Sequence, residues 1–292
     1  KWKNSSTSKL AESNISDKSN GNTGWPKFIP SGSFTPWEHV QLARAKTRPT
    51  GKDYIEALFD DFIEFHGDRH CGDDAAVIGG VAFFHGHPVT VLAQEKGEGT
   101  KENIARNFGM VSPEGYWKSL RLMQQAEKFH RPVICLVDTP GAFCGREAGE
   151  RGQGEASAKN LYTRAGLTVP VLSIVIGEGG SGGALAFAVS DEVWMLEHSV
   201  YSILSPEGFA SILWKDSKKA KEAAEVMKLT AADLCEMGMI EHVIPETEPV
   251  SRENMEDVAG CLENGIADFL EKYSGKEPEE LLEHRYQRFR KM

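Results

Sequence analysis

The sequence has few cysteines, and none of them is spaced as a zinc ligand or as half of a redox pair. The five are Cys71, Cys135, Cys144, Cys235 and Cys261. No two stand in the C-x-x-C arrangement on which zinc ribbons and thioredoxin-like sites depend. We therefore expect reduced thiols in a cytoplasmic protein, and no metal site in this chain.

Long apolar runs and an excess of positive charge are also lacking. The longest apolar stretch, residues 169–176, is far shorter than the roughly 20 residues of a membrane-spanning helix. With 33 Lys and Arg against 43 Asp and Glu, the net charge is −10, which repels nucleic-acid phosphates and anionic lipids. We expect neither a nucleic acid nor a membrane as partner. No secretory leader is visible, but the chain begins at Lys1, so an earlier leader stays an open question.

The remaining composition predicts a folded core between two different ends. Residues 1–24 are Ser, Asn, Lys and Gly with almost nothing apolar, and we predict a disordered tail or linker there. Residues 25–250 carry the apolar segments of one domain, and residues 251–292 are predicted to form a C-terminal helical extension. Hydrophobic residues make up 40% of the chain, which is enough for a full core.

Apolar periodicity predicts strands that alternate with helices, and hence an α/β fold. A helix is predicted from Tyr54 to just before His66, and a β-hairpin is predicted over 76–95. Two short continuous apolar runs, 132–138 and 170–176, are typical of strands that are buried on both faces.

The most informative segment is a glycine-rich turn at 177–184, GEGGSGGA, which follows the second of these strands and opens a helix. Glycine lets a ligand approach the main chain, and amides at a helix N-terminus favour negative charge. A phosphate loop is excluded because the motif lacks its Lys. Four interpretations stay open: a dinucleotide fingerprint, a nucleophile elbow at Ser181 with His198 or His242 as base, an oxyanion hole made of amides, and a packing turn.

A second turn follows the preceding buried strand. It reads Asp138-Thr139-Pro140-Gly141-Ala142, and we expect its Gly–Ala amides to lie at the same sheet edge as the glycine turn. Amides from both turns would form a two-sided oxyanion hole, in which a single donor is worth about 3 kcal/mol. The pair of turns favours the amide interpretation, which needs no nucleophilic side chain.

Further blocks of sequence accompany the two turns. In chain order they are RNFGM from Arg106, PEGYWKSLRLMQQAEKF, DTPGA, ERGQGEA, GEGGSGGALAF, SVYSILSPEGFASILWK and TAADLCEMGMIEHVIPE. Together they resemble the alpha-subunit family of bacterial and plastid acetyl-CoA carboxylase carboxyltransferase. The resemblance runs from about Gln41 to Pro245, with a weaker match in HRYQRF at 284–289. It implies a crotonase-like α/β fold, a superhelix of strand–strand–helix units.

The resemblance also implies an activity, which is transfer of a carboxyl group from carboxybiotin to acetyl-CoA. The product would be malonyl-CoA, in the first committed step of fatty acid synthesis. Biotin would be attached to a separate biotin carboxyl carrier protein, and ATP would be used by a separate biotin carboxylase. The chain would be active only with a carboxyltransferase beta subunit, in an α2β2 heterotetramer. Such a protein is expected in the bacterial cytoplasm, with the plastid stroma as the alternative.

Position by position, the resemblance assigns Gly182 and Gly183 as oxyanion amides on the biotin side, and Gly141 and Ala142 as the complementary amides. The substrate-binding positions that it implies are Gly179, Gly180, Ser181, Ala184, Lys96, Gly97 and Arg106.

The chain departs from the family pattern at Glu98, Asn103 and Ala105, where positive charge is usual. A role for the neighbouring basic residues in binding CoA phosphates is weakened accordingly. Three other hypotheses stay beside the carboxyltransferase. They are a self-sufficient crotonase-type acyl-CoA hydratase or isomerase that uses Glu178 as its acid–base group, a serine hydrolase that uses Ser181, and a non-catalytic assembly protein.

Overall fold

The computed structural model describes residue 30 and residues 33–292, so the polar tail predicted over 1–24 lies outside the described residues. The strands are β1 (Asp60–Glu64), β2 (Val77–Phe84), β3 (His87–Gln94), β4 (Val133–Thr139), β5 (Val171–Gly180), β6 (Glu192–Leu196), β7 (Val200–Ser202) and β8 (His242–Ile244). They form one sheet in the order β1-β2-β3-β4-β5-β6-β8, and β7 pairs with the end of β5. The strands from β3 to β6 are parallel neighbours.

Helices cover both faces of this sheet. They are α1 (Pro36–Ala43), α2 (Gly51–Leu58), α3 (Gly99–Ala105), α4 (Pro113–Lys128), α5 (Arg146–Glu150), α6 (Gln153–Ala165), α7 (Ser181–Ala188), α8 (Pro206–Trp214), α9 (Ala220–Met227), α10 (Ala231–Glu236), α11 (Met255–Tyr273) and α12 (Pro278–Arg290). Within residues 33–292, no helix combines the length and the apolar character needed to cross a bilayer.

Side chains along β4 alternate between two apolar cores, one on each face of the sheet. Ile134 and Leu136 join residues of α2 and α11, whereas Cys135 and Val137 join residues of α4, α6 and α7. Successive side chains of a strand point to opposite faces, so a continuous apolar run fills both cores. The predicted strands at 132–138 and 170–176 and the predicted hairpin over 76–95 are confirmed as β4, β5 and β2–β3.

The prediction of a helix from Tyr54 to just before His66 is wrong beyond Leu58. The helix α2 ends there, and the next residues form β1, which pairs antiparallel with β2 at the edge of the sheet. Phe62 packs against the core, whereas the side chain of Ile63 is 61% exposed. This alternation fits the pleat of an edge strand, and the apolar spacing alone did not distinguish it from a helix.

The helices after residue 250 pack onto the sheet. Val258 and Leu262 of α11 belong to the same core as β4 and β5. Arg285 of α12 is fully buried, with both Nε and Nη2 donating to the Asp191 carboxylate at 3.1 and 2.9 Å. It also donates to backbone carbonyls in the last turn of α6 and in the segment that joins α6 to β5. The C-terminal helices are therefore anchored beside the central strands.

Candidate active site

Two segments meet at one edge of the sheet, and we call them the amide-bearing segments. They are the loop after β4, residues 140–145, and the first turn of α7, residues 181–184, which follows β5. The two strands are parallel neighbours with Thr139 opposite Gly179, so both end at the same edge. A β-carbon added to Gly183 would lie 2.5 Å from the backbone nitrogen of Ala142 and 2.5 Å from the carbonyl carbon of Gly141. Real side chains do not tolerate such distances, so the contact between the two segments requires glycine at 183.

The glycines at the end of β5 and the start of α7 differ in how closely other residues approach them. A β-carbon on Gly180 would collide with the Pro140 carbonyl, and one on Gly179 would lie 2.8 Å from the Tyr201 ring. A β-carbon on Gly182, in contrast, would meet nothing within 4 Å. Close packing therefore explains the glycines at 179 and 180, whereas Gly182 faces open space.

The predicted glycine turn is shorter than its sequence suggests. Strand β5 continues through Gly180, and residues 178–180 pair with β7. The chain then changes direction at Ser181, whose φ of +51° is rare for a residue with a β-carbon. This single residue carries the strand directly into α7, so the first amides of the helix lie at the edge of the sheet.

The first turn of α7 presents unpaired amides. Backbone N–H groups in the first turn of an α-helix have no intrahelical acceptor, and Gly180 at the N-cap has no side chain that could supply one. The helix begins at Ser181, so this applies to the amides of Gly182 and Gly183, while Ala184 is fully buried behind them. The helix dipole adds a partial positive charge at the same place, which favours an oxyanion.

The loop after β4 contributes one more amide of this kind. Among residues 33–292, no acceptor pairs with the Ala142 N–H. The Gly141 N–H differs, because it donates to Oγ1 of Thr139 at 3.1 Å. Thr139 Oγ1 in turn donates to the Gly109 carbonyl at 2.7 Å. The two predicted complementary amides therefore differ. The Ala142 N–H is free to donate to a ligand, whereas the Gly141 N–H forms a hydrogen bond within its own loop.

The histidines that could serve Ser181 as a base have other partners. His198 Nδ1 lies 3.2 Å from His39 Nδ1, and His242 Nε2 lies 3.5 Å from a carboxylate oxygen of Glu192. A nucleophilic serine needs a base within hydrogen-bonding distance. These contacts do not favour the serine hydrolase.

An ion-pair cluster lies next to the two segments. Lys96 Nζ is 2.7 Å from Asp138 Oδ1 and 2.8 Å from Glu178 Oε2. Arg44, at the end of α1, donates from Nε to Glu178 at 2.6 Å and from Nη1 to Glu207 of α8 at 2.7 Å. These contacts join five residues from separate parts of the chain. Two of them, Asp138 and Glu178, lie within three residues of the start of an amide-bearing segment.

Burial and pairing act against each other in this cluster. Burial alone would lower the pKa of Lys96, but Asp138 and Glu178 together raise it above its ordinary value. Burial would raise the pKa of Glu178, yet Lys96 and Arg44 hold it below its usual range. Burial does raise the pKa of Asp138, despite its contact with Lys96. Glu178 is therefore a paired carboxylate at neutral pH, which does not favour it as the acid–base group of a hydratase.

The other basic and glycine positions that the sequence indicated have local roles. The Gly97 N–H donates to Oε1 of Glu95 at 2.8 Å, and Arg106 Nη1 donates to the Ala75 carbonyl at 2.6 Å. The structure brings Lys96 close to the amide-bearing segments. The hydrogen bonds of Gly97 and Arg106, in contrast, go to Glu95 and Ala75, which are outside those segments.

An apolar cavity of about 540 Å³ opens beside Ser181 and Gly182. Its walls come from α7, from β6 and β7, and from α9, α10 and α12, and they include Leu185, Val193, Tyr201, Met227, Met239 and Phe289. Burial raises the pKa of Tyr201 to about 12, so its hydroxyl stays protonated. The size and lining suit a small, mainly apolar ring system with the α7 amides at one end. Among the described residues, no group of three or more His, Cys, Asp or Glu could hold a metal ion.

The chain is similar to proteins of known family. The family model described as acetyl co-enzyme A carboxylase carboxyltransferase-like matches residues 30–292. The acetyl-coenzyme A carboxylase carboxyl transferase subunit alpha of Clostridium acetobutylicum is 61% identical over 262 residues, which cover 90% of this chain and 96% of that protein. A fused protein of Natranaerobius thermophilus, named subunits beta/alpha, is 58% identical over 257 residues, covering 88% of this chain and 42% of that protein.

Solved structures share the fold at low sequence identity. Transcarboxylase 12S, with methylmalonyl-coenzyme A and methylmalonic acid bound, matches with a TM-score of 0.67 and 19% identity, over 83% of this chain and 44% of that chain. A Pseudomonas malonate decarboxylase hetero-tetramer in complex with coenzyme A matches with a TM-score of 0.63 and 18% identity, over 81% of this chain and 92% of that chain. These likenesses confirm the predicted crotonase-like fold. By its family match and its high-identity relatives, the chain belongs to the acetyl-CoA carboxylase carboxyltransferase alpha-subunit family.

Proposed function

We propose that this chain transfers a carboxyl group from carboxybiotin to acetyl-CoA and gives malonyl-CoA, the first committed step of fatty acid synthesis. The observation that carries the proposal is the close contact of the two amide-bearing segments at Gly183 and Ala142. The residues next to Gly183 in the chain, Ser181 and Gly182, line an apolar cavity. Family membership supplies the reaction class, and the contact supplies a place where negative charge can be stabilised.

The chemistry requires a site for an oxyanion rather than a nucleophile. Carboxybiotin would supply the carboxyl group as CO₂, and its departure would leave negative charge on the ureido oxygen. The resulting ureidate would take a proton from the methyl group of acetyl-CoA, and the carbanion would form the new C–C bond to CO₂. The amides of Gly182 and Gly183 and the α7 dipole would stabilise the charge on the ureido oxygen, and the Ala142 amide would act from the opposite segment. Because these donors are fixed by the fold, they need little reorganisation as charge develops.

The apolar cavity would hold the bicyclic ring of biotin. Leu185 and Met239 contribute apolar surface, and Ser181 and Gly182 lie at the polar end. The ring would then enter with its ureido group toward α7.

A second subunit would complete the site. The cavity is bordered by apolar side chains that are strongly exposed, with Ile203 at 78% and Met237 at 53%. Exposed apolar groups around a binding site are typical of a protein interface. The fusion of beta and alpha subunits in a relative supports a beta subunit as the partner. We further propose an α2β2 assembly, a biotin carboxyl carrier protein and an ATP-dependent biotin carboxylase as partners, and a bacterial cytoplasmic location.

The proposal is tested by comparing two Gly→Ala variants in carboxyl transfer from the carboxylated carrier to acetyl-CoA. Gly183→Ala places a methyl group 2.5 Å from the Ala142 nitrogen, whereas Gly275→Ala, between α11 and α12, meets nothing within 4 Å. We expect activity only when the beta subunit is present, with loss in Gly183→Ala and retention in Gly275→Ala. Activity without a partner would favour a self-sufficient crotonase, and full activity of Gly183→Ala would place the site elsewhere.

A further inference from the structure

Lys96 lies between the strands that lead into the two amide-bearing segments, a location that the sequence did not predict. It follows β3, yet its ammonium group contacts carboxylates at the ends of two other strands, Asp138 of β4 and Glu178 of β5. We propose that Lys96 is a positioning residue for carboxyl transfer, which holds the segment after β4 and the start of α7 in register through Asp138 and Glu178. This inference rests on the proposed function, because it concerns how the same amides are held in position.

Both carboxylates are close in sequence to the amides they would position. Asp138 is followed by Thr139, the last residue of β4, and then by the loop that contains Ala142. Glu178 precedes the first residue of α7 by three positions. Asp138 also accepts from the Glu178 N–H at 2.8 Å. A displacement of either carboxylate would therefore be passed directly to one of the two segments.

Packing makes the position of Asp138 specific. A β-carbon on Gly177 would collide with the Asp138 carboxyl group. Glycine at this position of β5 therefore leaves room for the Asp138 side chain. A shift of Asp138 away from β5 would break its hydrogen bond to the Glu178 N–H and would move the loop after β4 away from Gly183.

The ammonium group is engaged by protein rather than by substrate. Its nitrogen, which carries three hydrogens, lies 2.7 Å from an Asp138 oxygen and 2.8 Å from a Glu178 oxygen. The Lys96 side chain is 19% exposed, compared with 8% for Asp138 and 11% for Glu178. This burial and pairing argue for a structural cation between the ends of β4 and β5, and against the phosphate ligand that the sequence implied.

Without Lys96, two buried carboxylates would face each other. Arg44 would still contact Glu178. The buried Arg48, the other cation near Asp138, is already paired with Glu246. Repulsion would separate the segments, and a displacement of about 1 Å costs roughly 10²-fold in rate. The repulsion ends when one carboxylate is neutral. Burial already raises the pKa of Asp138, and loss of Lys96 would raise it further.

The test uses Lys96→Met, the double variant Lys96→Met/Asp138→Asn, and Lys128→Met, an exposed lysine at the end of α4, as control. Each is assayed with the beta subunit for kcat and KM over a range of pH, and each is checked by thermal unfolding. We expect Lys96→Met to lose about 10²-fold in kcat with little change in KM, and to regain activity as the pH falls. We expect the double variant to recover at least tenfold over Lys96→Met at neutral pH.

Other outcomes overturn the inference. Full activity of Lys96→Met would show that the amides keep their register without the ammonium. A folded double variant as inactive as Lys96→Met, or a change confined to the KM for acetyl-CoA, would make Lys96 a substrate ligand instead. If neither variant folds, Lys96 is a folding residue and not a positioning one. Failure of the proposed function is distinguishable, because it appears as full activity of Gly183→Ala whatever Lys96→Met does.

Discussion

The backbone nitrogen of Ala142 lies 2.5 Å from the point where a β-carbon of Gly183 would stand. This contact joins the loop after β4 to the first turn of α7, which are 41 residues apart in sequence (183 − 142 = 41). It exists because parallel neighbouring strands end at the same edge of a sheet. Substitutions that keep the strands but separate the loops are therefore the sharpest tests of the site.

Gly180→Ala should separate the loops from the side of β5. Its β-carbon would collide with the Pro140 carbonyl, and the neighbouring loop would have to move. We expect kcat to fall by about 10²-fold, because a displacement of about 1 Å has that cost. The control is Gly154→Ala in α6, whose β-carbon meets nothing within 4 Å. Equal kcat values for the two variants would contradict a requirement for contact at this point.

Leu185→Trp should fill the apolar cavity. Leu185 lies one turn into α7 and lines the cavity near Gly182. The larger ring would occupy the space assigned to biotin, and we expect kcat/KM for the carboxylated carrier to fall by about tenfold or more. The KM for acetyl-CoA should change little. Ile63→Trp is the control, because Ile63 is 61% exposed on β1. An equal effect on both substrates would show that the cavity does not discriminate between them.

The sequence predicted those parts of the fold that local apolar patterns determine. The runs at 132–138 and 170–176 are continuous, and they form strands because alternate side chains fill two cores. Edge strand β1 was missed, because the partly buried Phe62 and the exposed Ile63 also fit a helical spacing. Hairpin β2–β3 was found because its two strands are adjacent in sequence.

The site was predictable only where it depends on sequence order. Two glycine-bearing segments follow neighbouring strands, so their approach could be expected from parallel topology. The ion-pair cluster could not be predicted, since Arg44 and Lys96 reach Asp138 and Glu178 only through tertiary packing. The same holds for Glu207, which pairs with Arg44. The available signal was weak: Lys96, Asp138 and Glu178 each lie within two residues of the end of an apolar run.

Acidification should destabilise the protein through His39 and His198. Burial lowers the pKa of both histidines below the ordinary value of 6.5, and each Nδ1 faces the other at 3.2 Å. Glu197 and Glu246 favour the protonated forms, but not enough to restore that value. Below pH 6.5 the unfolded chain binds protons that the folded chain does not. The free energy of unfolding then falls as the pH falls, by up to about 1.4 kcal/mol per pH unit for each histidine.

Urea unfolding at a series of pH values measures this slope. His39→Gln removes one of the two groups and should flatten the slope between pH 6.5 and about pH 5, where most carboxylates are still ionised. His85→Gln alters an exposed histidine at the hairpin tip and serves as the control. If both variants keep the slope of the parent protein, other groups carry the acid sensitivity.

Arg285→Met should destabilise the fold and disturb the cavity together. The guanidinium group is the buried partner of Asp191, and its removal leaves that carboxylate buried without its ion pair. Loss of one partner of a buried ion pair costs about 3–5 kcal/mol. Because Phe289 and Met292 follow in the same C-terminal segment and line the cavity, loosening of α12 should also raise the KM for the carboxylated carrier.

The two effects of Arg285→Met can be separated by a second substitution. Arg285→Met/Asp191→Asn removes the uncompensated charge, so it should recover part of the lost free energy of unfolding. It does not restore the hydrogen bonds from Arg285 to the carbonyls of Leu167 and Val169, so the anchor of α12 stays weakened. We therefore expect stability to recover more than KM. Arg290→Met, at an exposed position of the same helix, controls for loss of positive charge. A parallel recovery of stability and KM would mean that α12 contributes to the cavity only through global stability.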